Sequence, residues 1–170
     1  VLHADETVLQ VLREPGRPAQ SKSYMWLYRT SGDAPLSIIL MEYQQGRGAE
    51  HPQKFLEGFE GYLHSDGYKV YHKLPENIVV VGCWAHARRK FDEALKLVPK
   101  DQREGTRPFI GKRFCDRLFA IEKDLAELDP DERYLKRQEL AKPVLGEFFA
   151  WLESQNRRVS KNAFGKAVRY

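Results

Sequence analysis

Asp5 and Asp66 are the acids whose setting could support chemistry. Asp5 interrupts an apolar segment made by Leu2, Ala4, Val8, Leu9, Val11 and Leu12. An acid in the middle of an apolar strand needs a partner, because burying it unpaired is costly. Asp66 closes the run Tyr62-Leu63-His64-Ser65 and is followed by Gly67. Asp and Gly are common turn formers, so a plain surface turn is one reading of Ser65-Asp66-Gly67. The other reading is a strand that ends by presenting a carboxylate to metal, with Gly67 letting the chain turn sharply beside it. Two carboxylates brought to one spot repel when both are ionised. A divalent cation removes that cost, and Mg²⁺ takes carboxylate oxygen while retaining several waters. Two such ions about 3.5–4 Å apart can activate a nucleophile and stabilise a leaving oxygen in phosphoryl transfer.

Other residues could act beside them. Cys83-Trp84-Ala85-His86 could supply two zinc ligands, but structural zinc sites usually use four and no second matching pair is evident. The alternative is that Cys83 ends a strand and His86 opens the following helix. Arg88-Arg89-Lys90 sets three cations within one helical turn. They read either as phosphate contacts or as a solvated helix face with Asp92 and Glu93 as neighbours. Arg157, Arg158, Lys161, Lys166 and Arg169 form a second basic cluster with the same two readings. The aromatic residues of 23–28 read as core rather than as base-stacking groups.

The elements that must position these residues follow from hydrophobic period. Residues 2–12, 23–28 and 36–43 read as strands, separated by Glu14-Pro15-Gly16 and by Ser31-Gly32-Asp33-Ala34-Pro35, which suggests an antiparallel meander. Pro52 with Phe55, Leu56 and Phe59 marks a helix. Residues 62–66 form a short strand, and Ile78–Gly82 form a uniformly apolar one expected to be buried on both faces. Trp84, Ala87, Phe91, Leu95 and Val98 then recur at helical spacing. Residues 99–111 read as a loop. Phe114, Leu118, Ile121, Leu125 and Leu128 mark a long amphipathic helix. Asp129-Pro130 opens the next helix, Pro143 breaks it or opens another, and Ser160 caps a last one.

Hydrophobic content of 42% is enough for a core, and no apolar run is long enough to cross a bilayer. Two cysteines are too few for a disulfide framework, which suits a reducing, cytoplasmic setting. Residues 1–82 carry 8 Lys/Arg against 10 Asp/Glu, whereas residues 83–170 carry 20 against 14. A basic second half suggests a polyanion, of which nucleic acid is the commonest, or else a solvated helical surface. The chain opens on Val1-Leu2-His3-Ala4 rather than Met, which reads as a segment of a longer polypeptide.

The order of elements predicts an α/β fold: a ribonuclease-H-like mixed sheet flanked by helices, followed by a mostly helical insertion. In that topology the first strand is central and lies beside strand 62–66, so Asp5 and Asp66 converge. Expected boundaries are 1–98 for the core, 99–158 for the insertion and 159–170 for the start of a returning core helix. Such an insertion could serve DNA binding or subunit contact in a homo-oligomer.

Five stretches in this order resemble the catalytic core of insertion sequence 66 family transposases, which are bacterial DDE transposases. They are His3-Ala4-Asp5-Glu6-Thr7, Lys22-Ser23-Tyr24-Met25-Trp26, Gly48-Ala49-Glu50-His51-Pro52, Gly61–Tyr68 and Gly82–Phe91. The resemblance is dense over 1–98, thinner over 99–158, and revives near 160–170. It implies that Asp5 and Asp66 are the two aspartates of the triad and hold Mg²⁺ or Mn²⁺, two ions in the intact enzyme. It implies DNA as the partner, both transposon ends and target, with Arg88, Arg89, Lys90, Arg157, Arg158 and Lys161 as phosphate contacts. It gives Cys83 and His86 a role in supporting the site. The family's third acid, a glutamate, sits beyond a segment like 160–170, so the resemblance implies an incomplete site and a fragment inactive in transposition. A noncatalytic DNA-binding or assembly module on the same scaffold is the competing reading.

Overall fold

Alternation of side chains builds Val1–Cys83 into one unit around a five-stranded mixed sheet. In this computed structural model, which describes residues 1–156 and 161–170, the strands are β1 (Leu2–Gln10), β2 (Lys22–Thr30), β3 (Ile39–Gln44), β4 (Gly61–Ser65) and β5 (Ile78–Gly82). Their order is β3-β2-β1-β4-β5. The first three pair antiparallel, as the turn signals between them require. β4 returns beside β1 in parallel, and β5 pairs in parallel with β4. β1 is therefore central.

One sheet face carries the core. Ala4, Trp26, Tyr28, Leu63 and Ile78 are buried there with Leu56, Val70 and Tyr71. Helix α1 (Glu50–Phe55) packs on this face, with the Phe55 ring stacked on Tyr28 at 3.7 Å. Fully burying a side chain such as Leu63 contributes about 1.5–3 kcal/mol. Pro52 sits in the first turn of α1, where its missing N–H has no helical partner to lose. β5 is an edge strand, and it differs from the expectation of burial on both faces. Ile78 is buried, but Val79 is 48% exposed.

The second unit, Trp84–Tyr170, is helical. It contains α2 (Trp84–Lys96), α3 (Arg107–Asp124), α4 (Pro130–Lys136), α5 (Lys142–Asn156) and α6 (Ala163–Val168). Phe91, Cys115, Phe148 and Ala167 form its core with Trp84, Phe114, Trp151 and Phe164 against them. Helix α3 begins at Arg107, inside the stretch 99–111 read as loop. Thr106 takes extended backbone at its N-cap and Pro108 falls in the first turn. Pro108, within the stretch read as loop, thus belongs to a helix start. Asp129 caps α4 by accepting from the amides of Asp131 and Glu132. Pro143 is the second residue of α5, so it opens another helix, as one of the two readings had it. A π-helical turn, Arg137–Ala141, joins α4 to α5. A proline cannot donate to the carbonyl four residues back and crowds it, and the wider turn just before it absorbs that mismatch. Asn162 caps α6 through its side chain, whereas Ser160, the expected cap, lies outside the described residues.

Candidate functional site

The parallel pairing of β1 with β4 stops two residues short of both acids. Leu2 pairs with Leu63 and His3 with His64, so both strands run in step along one direction. Counting on, Asp5 stands two residues past His3 and Asp66 two past His64, just beyond the end of β4. The side chains of His3 and Asp5 alternate with buried Ala4, and those of His64 and Asp66 with buried Leu63 and Ser65. On the next strand Ser65 pairs with Gly82, which sets Cys83 one residue further, level with Asp66 by the same count.

Both carboxylates use one oxygen on a backbone amide. Asp5 Oδ1 accepts from the Glu6 amide at 2.9 Å. Asp66 Oδ1 accepts from the Tyr68 amide at 2.9 Å. The second bond is an Asx turn, so the side chain of Asp66, rather than a special backbone at Gly67, makes the bend. Positive φ occurs at Gly16, Gly58, Gly61 and Gly105, and not at Gly67. These oxygens are hard donors of the kind Mg²⁺ takes, and two of them leave room for the waters it keeps. Among the described residues no group of three or more His, Cys, Asp or Glu side chains is arranged to hold a metal ion.

On β1 the enclosed acid is Glu6, not Asp5. Asp5 is exposed, whereas the Glu6 side chain is fully enclosed. The expectation that Asp5 is buried and needs a partner is thus corrected by the strand's own alternation: Leu2, Ala4 and Glu6 share the inward face. Glu6 Oε1 accepts from Arg47 Nε at 2.7 Å and also from Arg47 Nη2, and Oε2 accepts from the Tyr71 hydroxyl at 2.6 Å. Burial pushes the Glu6 carboxyl above its ordinary range, against the opposing pull of the Tyr71 and Arg47 hydrogen bonds. The Arg47 guanidinium lies 3.7 Å over the Tyr68 ring, and the Tyr68 hydroxyl donates to the Arg47 carbonyl. Through Tyr68 this cluster reaches the amide that holds Asp66.

The helical unit treats its cations unequally. Arg88 Nε donates to Asp116 Oδ1 at 2.5 Å, and Lys112 Nζ donates to Oδ2 of the same carboxylate at 2.7 Å. Burial of Asp116 works the other way, but these two cations hold its carboxyl below the usual aspartate range. Lys90 lies over the Tyr170 ring at 5.2 Å. Arg89 and Lys161 are exposed. Arg157 and Arg158 lie outside the described residues. His86 is half-buried and its Nδ1 has no hydrogen-bond partner among the described residues, and Cys83 is a free, half-buried thiol.

A family model described as Transposase IS66 family matches residues 1–170. The chain belongs to that family. Similar curated proteins come from Sinorhizobium fredii (strain NBRC 101917 / NGR234). Uncharacterized protein y4qI is 32% identical over 181 residues, covering 98% of this chain and 32% of its own length. Uncharacterized protein y4hP is 30% identical, covering 95% of this chain and 32% of its own length. The chain therefore spans about a third of the length of these relatives. No solved structure matches it. Within this IS66 family chain, no helix among the described residues is long and apolar enough to cross a membrane.

Proposed function

We infer that this part of an IS66 family transposase carries a metal-holding centre for DNA strand cleavage and transfer, on a ribonuclease-H-like sheet. The observation that supports this reading is the parallel pairing of β1 with β4 at Leu2–Leu63 and His3–His64, with Asp5 two residues further along β1 and Asp66 two residues further along the chain, just past the end of β4. The β3-β2-β1-β4-β5 order, with three antiparallel strands followed by two parallel ones, supports the ribonuclease-H-like assignment.

Asp5 and Asp66 are the residues that would hold Mg²⁺ or Mn²⁺. Bound there, such ions supply a Lewis acid for the phosphodiester and a low-pKa water. The chain's own part is orientation. The Glu6 and Tyr68 amides each take one aspartate oxygen, which leaves Oδ2 of both side chains outside those bonds. Cys83, level with Asp66 by register, borders the same strand ends. Exposed Arg89 and Lys161 suit contacts with DNA phosphates, which position a duplex without reading its sequence. Arg88 and Lys90 are engaged within the helical unit, and their part is to shape that surface.

The test is a Mn²⁺ titration of the chain followed by electron paramagnetic resonance. Asp5→Asn and Asp66→Asn are each expected to weaken Mn²⁺ binding at least about tenfold, as loss of a direct ligand should. Mn²⁺ binding that both variants leave intact overturns the assignment, and DNA binding without any metal response would favour a noncatalytic module.

A further inference from the structure

His3 and His64 are direct neighbours across the parallel β1–β4 pair. Their ring centroids are 4.5 Å apart and the ring planes are inclined at 52°. Both residues are half-buried, so solvent reaches the pair. We propose that His3 and His64 form a second cation site that takes a borderline-soft divalent ion of the Zn²⁺, Ni²⁺ or Cu²⁺ class, distinct from the carboxylate centre one strand step away.

The spacing suits shared coordination. A tetragonal Cu²⁺ or Ni²⁺ bound through one nitrogen of each ring at about 2.1 Å sits about 3.2 Å from each ring centre, which sets cis ligands at right angles about 4.5 Å apart, and a tetrahedral Zn²⁺ sets them about 5.2 Å apart. The observed centroid distance is close to the tetragonal value, so rotation of the rings, with no shift of either strand, is what shared coordination requires. The strands hold it there, because neighbouring backbones in a sheet are fixed at about 4.8 Å. Two protein ligands leave the remaining positions to water.

The donor types separate this site from the first. Imidazole favours Zn²⁺, Cu²⁺ and Ni²⁺, whereas carboxylate with water favours Mg²⁺ and Mn²⁺. Arg29 stands opposite His3 on β2 and opposes a cation, but it is exposed and its long side chain can turn to solvent. Val81 stands opposite His64 on β5 and contributes no charge. The amino terminus at Val1 adds a second positive charge near His3, so a bound cation must be held by the imidazole nitrogens rather than by the local field.

Cu²⁺ is the probe, added in substoichiometric steps to the chain and read by electron paramagnetic resonance. The expected signal has hyperfine coupling from two imidazole nitrogens. His3→Gln and His64→Gln should each remove one coupled nitrogen and weaken Cu²⁺ at least about tenfold. His3→Phe and His64→Phe keep a ring in the pair, so loss of the signal in these folded variants excludes mere collapse of the sheet. Asp5→Asn should leave the two-nitrogen signal in place while weakening Mn²⁺, which separates failure of this site from failure of the carboxylate centre. A two-nitrogen signal that survives in both glutamine variants, arising from His51, His72 or His86, overturns the proposal. So does a parent chain with no two-nitrogen species at one equivalent.

Discussion

Glu6 shows what a single acid does when its strand turns it inward. Its carboxylate is enclosed and accepts from Arg47 and Tyr71. Removing it leaves the buried Tyr71 hydroxyl and the partly exposed Arg47 guanidinium without that acceptor. Glu6→Ala should therefore destabilise the chain by about 1–3 kcal/mol, seen as a lower urea midpoint. Glu6→Gln, whose single amide oxygen can still accept from one of the two donors while its NH2 can only donate, should lose less. The inward place of Glu6 was legible in His3-Ala4-Asp5-Glu6-Thr7, since Leu2 and Ala4 fix the inward parity of β1. Its partners were not. Arg47 comes from the loop after β3 and Tyr71 from a turn after β4, at sequence separations of 41 and 65 residues. Hydrophobic period has no reach over such distances.

At the scale of elements, most boundaries followed from apolar spacing and caps. Asp129-Pro130 opens α4 as its residue types dictate. The start of α3 was hidden, because proline both ends loops and opens helices. Packing between α2 and α3 was hidden for another reason. It depends on Gly111, which nothing in the local sequence marks. A methyl group at Gly111 would stand 2.5 Å from the Phe91 ring, which is buried in the helical core. Gly111→Ala would improve intrinsic helix propensity, yet it should destabilise the chain by about 1–3 kcal/mol through overpacking. A thermal melt decides between the two effects, and a rise in the midpoint would show that Phe91 can move aside.

Over the whole molecule, charge divides with the units. Residues 1–82 are slightly acidic, whereas residues 83–170 hold 20 Lys/Arg against 14 Asp/Glu. Net charge was legible in composition, but the cations left for a polyanion were not. Arg88 and Lys112 are already engaged by Asp116. DNA affinity of the chain should fall as salt rises, and Arg89→Ala should reduce the slope of the log–log plot by about one. Arg88→Ala should leave that slope unchanged and lower thermal stability instead. Equal slopes for Arg89→Ala and the parent chain would remove Arg89 from the interface.

The β1–β4 ladder joins only Leu2 with Leu63 and His3 with His64, whereas β1 continues to Gln10 against β2. From Ala4 onward the central strand thus has a bonded margin and an unladdered one. Amides alternate between those margins along a strand, so deuterium uptake over Ala4–Gln10 should be two-speed. Those facing β2 should be slow, and the intervening ones fast enough to outline the notch where the two strands part.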